Sequence, residues 1–138
     1  MEAVSILDED QCWNLLSESV FGRLAISVDG EPEIFPVNAC ASDGKIYFRS
    51  GEGTKLAEIA VNNRVVFETD GFTSRIGWSV VAKGRARILT GTKEILEADK
   101  LPLKPWVPTL KMNYVEITPD EVTGRRFKFG DEPDRYPV

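Results

Sequence analysis

Two Asp-Gly pairs, Asp29-Gly30 and Asp43-Gly44, divide residues 21–50 into three short runs rich in apolar and β-branched residues. Asp-Gly favours the tight turn whose twist matches a pair of antiparallel strands. The spacing predicts a meander: a strand over Phe21 to Val28, a return strand over Glu31 to Ala41 and a third over Lys45 to Ser50. Strands joined this tightly are antiparallel, since a parallel crossover needs a dozen or more residues. Pro32 and Pro36 remove backbone donors from the second run, which predicts an edge, a bulge or a bend there.

Either side of the meander the pattern shifts. Asp8 followed by Gln11 has the form of a capping box, and Cys12, Leu15 and Leu16 follow at helical spacing, so a short helix ends near Ser17 to Ser19. Thr54 to Val61 is helical, with Leu56, Ile59 and Ala60 on one face. Arg64 to Thr69 reads as a short strand, Phe72 to Arg75 as a loop, and Trp78 to Thr90 as the longest strand. A helix from Thr92 to about Asp99 follows. Pro102, Pro105 and Pro108 stiffen the segment around Trp106. Met112 to Ile117 is the last clear strand, with a possible continuation to Val122, and the polar tail over 131–138 is expected to be loose. Six strands and a few short helices without a βαβ rhythm predict an α+β, mainly β protein built on a six-stranded antiparallel barrel. At 138 residues it is one domain, burying roughly 68% of its unfolded surface.

Composition removes whole classes of function. There is no histidine, which excludes Ser-His and Cys-His nucleophile pairs, the common zinc ligand and the proximal haem ligand. A net charge of −5 argues against nucleic acid and anionic membranes as partners. Cys12 and Cys40 show no metal-ligand spacing and read as buried reduced thiols, so no metal is expected. No signal peptide is visible at the start, and no apolar run approaches the ~20 residues of a membrane helix. The expectation is a soluble, cytoplasmic protein.

The most chemically suggestive stretch is Lys45 to Ile59: a strand, a turn holding Gly51 and Gly53, then a helix opening with Thr54 and Lys55. The first amides of a helix have no intrahelical acceptor and carry the positive end of its dipole. With Arg49 and Lys55 adding charge and Thr54 a hydroxyl, the layout suits a phosphate. Glu52 in the same turn opposes that reading unless its carboxylate points away. An ordinary strand-helix connection with solvated cations is the plain alternative.

Gly22-Arg23-Leu24-Ala25, Pro36-Val37-Asn38, the Phe48 to Lys55 turn, and Gly77-Trp78-Ser79-Val80-Val81 with Gly84-Arg85-Ala86 occur in this order over most of the chain. In these patterns, from about Ile6 to Phe129, the sequence resembles the pyridoxamine 5′-phosphate oxidase-like, FMN-binding split-barrel family. The resemblance implies a split barrel, FMN as cofactor (a deazaflavin as the alternative) and a homodimer with the cofactor at the interface. It implies Arg49, Ser50, Thr54 and Lys55 as phosphate ligands, Pro36, Val37 and Asn38 beside the flavin ring, and Ser79 as a further side chain reaching it. Trp106 and Gly124-Arg125-Arg126 are candidates for the part of the pocket given by the second subunit. Arg75, Lys83 and Arg85 are cations available to the pyrimidine edge of the ring. Asn38 stands where true pyridoxamine phosphate oxidases carry a basic residue, which counts against vitamin B6 oxidation.

The activity implied is a flavin-dependent oxidoreductase reduced by a nicotinamide nucleotide or another donor and acting on a small molecule. No catalytic residue is assigned. A deazaflavin-dependent reductase, a non-catalytic flavin-binding or sequestering protein, and a barrel serving as an interaction module are the other readings.

Overall fold

The computed structural model describes residues 2–103 and 112–136. The predicted meander is present as β2 (Phe21–Val28), β3 (Glu31–Ser42) and β4 (Lys45–Ser50). Its two turns hold Asp29 at φ 53° with Gly30 at φ 79°, and Asp43 at φ 51° with Gly44 at φ 73°. Positive φ at both central residues is the type I′ pattern that Asp-Gly favours. Pro32 and Pro36 lie on the part of β3 paired with β2 alone, because the β4 pairing begins at Ala39. The prolines therefore sit on an open edge, where a missing donor costs little.

Helix α1 (Glu9–Glu18) carries the expected capping box: Gln11 N–H donates to Asp8 Oδ1 at 2.8 Å and Asp8 N–H to Gln11 Oε1 at 2.9 Å. Helix α2 (Thr54–Val61), strand β5 (Arg64–Phe72), strand β6 (Ile76–Ile88) and helix α3 (Thr92–Ala98) complete the middle of the chain. The last strand, β7 (Asn113–Lys128), is longer than β6 and runs well past the expected end near Val122. Trp106 and most of the proline-rich segment lie outside the described residues.

Six strands close on themselves in the order β7-β4-β3-β2-β5-β6, with β6 pairing back to β7. The barrel expectation holds, with one correction. A further strand, β1 (Val4–Leu7), pairs with the second half of β7, making seven among the described residues. It escapes a reading of the sequence because four residues before a helix show too short an alternation to register.

Side chains alternate between the two faces of each strand. The inner set, including Leu24, Phe48, Phe67, Val80, Val115 and Ile117, forms the main core, joined by Cys12 and Leu16 of α1 and by Leu56 and Ile59 of α2. Trp78 packs on this core from the inner side. A second cluster lies outside the barrel, where α3 covers β4, β7 and the end of β3: Cys40, Leu89, Ala98, Leu103 and Tyr114 are buried there. Both cysteines are free, buried thiols, as expected. Burial pushes the pKa of each up, so neither is a poised nucleophile.

A polar lattice clamps α3 to the barrel. Arg87 grips Glu94 through two bonds of 3.1 and 2.8 Å and donates to Glu116 at 3.3 Å. Tyr47 O–H donates to Glu116 at 3.0 Å, and the Thr90 and Gly91 amides donate to Glu94 at 2.9 Å. Burial, then Glu116, pushes the Tyr47 phenol up to about 12.

Candidate functional site

Gly53 is the N-cap of α2, with φ 152° and ψ −167°. That region of backbone space is essentially restricted to glycine. No side chain caps the helix, and the first helical bond runs from Ala57 N–H to Gly53 C=O at 3.1 Å. The preceding amides have no intrahelical acceptor. A Cβ built on Gly53 would meet no heavy atom within 4 Å, so the space before the turn is open. Glu52 is exposed and accepts from Asn113 Nδ2 at 3.3 Å, which directs its carboxylate toward the start of β7.

The two cations flank this turn from different sides. Lys55 Nζ lies 5.6 Å from the Phe35 ring centre and 5.5 Å from that of Phe48, bringing the start of α2 against β3 and β4. Arg49 projects from the other face of β4, with its guanidinium 5.4 Å from the Tyr114 ring. Thr54 is exposed in the first turn of α2. Ser50 is buried, and its hydroxyl donates to the Gly51 carbonyl at 2.9 Å. As it stands, Ser50 presents no free hydroxyl to a ligand.

The ring-side candidates sort by face. Val37 points into the core, leaving only its backbone for a ligand, while Pro36 and Asn38 point outward. Asn38 Nδ2 reaches the Val20 carbonyl at 3.5 Å. Ser79 is far from these residues in sequence yet shares their row. Asn38 pairs with Phe21. Arg23 pairs with Glu68, so two residues further along each strand Phe21 comes level with Asp70. Thr69 Oγ1 fixes this alignment by donating to the Phe21 carbonyl at 2.9 Å. Asp70 pairs with Ser79, and Ser79 with Arg125. Asn38 and Ser79 thus stand three strand spacings apart, about 14 Å along the sheet.

Arg125 is the cation opposite Ser79 on this row. Lys83 and Arg85 lie roughly 13 to 20 Å further along β6, Arg85 donating to Asn63 at 3.1 Å, and Arg75 lies beyond the strand. Sequence reasoning missed Asp70 and Arg23 as members of the row's surroundings. The available signal was Glu68-x-Asp70, two carboxylates that alternation puts on one strand face. A cavity of about 680 Å³ lies elsewhere, between α3 and the β3–β4 hairpin, bordered by Tyr47, Leu89, Glu94 and Glu116. None of the predicted ligands borders it.

The model of the pyridoxamine 5′-phosphate oxidase family matches residues 8–126. The chain belongs to this family. Among solved structures, it is similar to one from Corynebacterium glutamicum provisionally described as a pyridoxamine 5′-phosphate oxidase. That protein is 40% identical, with a TM-score of 0.84 over 95% of this chain and 98% of the other. The FAD binding protein from Mycobacterium smegmatis is 38% identical, TM-score 0.80, over 91% and 99% of the two chains. An FAD-binding protein from Mesorhizobium loti is 26% identical, TM-score 0.75, over the same shares. Fold and family agree with the resemblance read from the motifs. Among the described residues no helix is long and apolar enough to cross a membrane, and no group of acidic or thiol side chains has the arrangement of a metal site.

Proposed function

We propose that this chain is a flavin-dependent oxidoreductase holding FMN, or the FMN portion of FAD, with the phosphate at the Gly53 turn and the ring along the outer row. The observation that carries the reading is the open first turn of α2, uncapped by any side chain and flanked by Lys55. A doubly charged phosphate suits that turn, since free amides and the helix dipole favour anions. The two FAD-binding neighbours support a flavin in this barrel and widen the expectation from FMN alone.

In this reading Thr54, Lys55 and the α2 amides hold the phosphate, with Arg49 adding positive field from the other side of β4. The Ser50 hydroxyl has to leave the Gly51 carbonyl to join them, or else the residue contributes through its backbone. Pro36, Val37 and Asn38 border the ring at one end of the row and Ser79 at the other. The bound flavin supplies the hydride or electron transfer, and the protein supplies orientation and charge. A homodimer belongs to the reading, because no described helix covers the outer face that carries the row. The electron donor is a nicotinamide nucleotide or another reductant, and the substrate a small molecule.

Extraction of the copurifying chromophore, followed by titration of the stripped protein with FMN and FAD, tests the reading. Binding at micromolar or tighter affinity is expected, with bound flavin reduced by NADH or NADPH faster than free FMN. Bound flavin reduced no faster than free FMN marks a carrier, and absence of binding removes the flavin assignment.

A further inference from the structure

Glu68 and Asp70 stand two residues apart on β5, so both side chains leave the outer face of the barrel. One cation serves both. Arg23 Nη1 donates to Glu68 Oε1 at 2.8 Å and to Asp70 Oδ2 at 3.1 Å. Two carboxylates on one guanidinium leave a negative charge without compensation inside the cluster. Glu68 is the more buried partner, its side chain 28% exposed against 44% for Asp70. Burial first, and the neighbouring Asp70 second, push the Glu68 carboxyl up. Asp70 is the more exposed of the two carboxylates, and it faces Ser79 directly across the ladder, with Arg125 on the far side of Ser79. Crowding like charges on one strand face costs stability, and a donor arriving from outside the chain offsets that cost.

We infer that Asp70 accepts a hydrogen bond from the ring N–H of the bound flavin, and so fixes which edge of the ring lies toward Ser79. The inference rests on the flavin reading above and deepens it. Arg23 acts as a positioning residue: it holds the Asp70 carboxylate in place. Glu68 anchors Arg23 from the other side. Oxidised flavin carries a single ring N–H, on the pyrimidine edge, at N3. Methylation of N3 removes that donor and leaves the phosphate, the sugar chain and the rest of the ring unchanged.

The test compares FMN with N3-methyl FMN on the wild-type protein and on Asp70→Asn and Asp70→Ala, following quenching of flavin fluorescence. The wild type is expected to prefer FMN by about tenfold or more, as for a hydrogen bond to an ionised acceptor. Asp70→Asn keeps the shape and an acceptor oxygen but not the charge, and is expected to cut that preference about fivefold. Asp70→Ala should bring FMN down to the affinity of the methylated analogue. An N3-methyl flavin bound as well as FMN by the wild type overturns the inference while leaving the flavin site standing. A preference that survives Asp70→Asn undiminished does the same, whether or not the alanine variant folds. Failure of the wild type to bind either compound overturns the inference together with the reading beneath it.

Discussion

At Gly53 the space around the missing side chain is empty, so substitution acts through the backbone alone. Gly53→Ala forces an L residue to φ 152°, at a cost of about 1–3 kcal/mol. Local relief of that strain is expected to turn the α2 amides away from the proposed phosphate position. The expected result is a flavin affinity at least tenfold weaker with a smaller change in melting temperature, measured by titration and calorimetry on one sample. Lys55→Ala acts by charge instead, and should cost about 1.5–3 kcal/mol of cofactor binding, roughly 10–100-fold. The loss should shrink at high salt, since part of it is Coulombic. These residues were legible in the sequence because glycine, threonine and lysine at a strand-helix junction each have a local chemical reason to be there. Asp70 was not. The role proposed for it depends on Arg23 and Ser79, which lie on other strands and come beside it only through the register.

Helix α3 has fewer than two turns of hydrogen bonding of its own and is held by what it touches. Arg87, then the Gly91 and Thr90 amides, hold the Glu94 carboxyl down at about 2, from an ordinary 4.5. Because the folded value is depressed, this contribution to stability is fully present above pH 4.5. It fades as the pH falls through the window toward about 2. Amide exchange over residues 92–98 should therefore accelerate below pH 4.5 ahead of exchange in the barrel strands, and Glu94→Gln should abolish that early phase. Gly84 presents the opposite case to Gly53. A Cβ there would sit 2.1 Å from the Thr118 carbonyl oxygen, at the register shift where β6 meets β7. Gly84→Ala is expected to destabilise the fold by about 1–3 kcal/mol through overpacking, read as a lower denaturation midpoint at unchanged slope. That bulge also explains what the sequence concealed. Pro119-Asp120-Glu121 looks like a strand end, yet β7 continues because Gly84 admits its backbone and β6 pairs with it on both sides of the shift. Strands bounded by their own turns, such as β2 and β4, were readable to the residue, whereas β1 and the second half of β7 exist only by pairing with each other and with β6.

The molecule as a whole is lopsided. Helix α3 covers the outside of β4 and β7 and reaches the ends of β3 at Cys40 and of β6 at Arg87, while none of its described contacts falls on the rest of the outer face of β3, β2, β5 and β6. On that face and its continuation onto β1, Ile34 is 67% exposed, Phe72 81% and Ile6 75%. Exposed apolar side chains of this kind are available to a contact with a second copy. If a second copy supplies the other wall of the flavin site, binding and association are linked, and each must strengthen the other by the same free energy. Flavin at one hundred times its dissociation constant would add about 2.7 kcal/mol to stability, roughly 10 °C in melting temperature. That gain should depend on protein concentration. Light scattering should give about twice the 15.4 kDa chain mass when flavin is bound. Dilution below the dimer dissociation constant should weaken the apparent flavin affinity. Ile34→Asp, exposed on β3 and four residues along the strand from Asn38, should yield a folded monomer that has lost most of its flavin affinity. A monomeric Ile34→Asp protein that binds flavin as tightly as the wild type would show that one chain builds the whole site, and the dimer would then have no part in holding the cofactor.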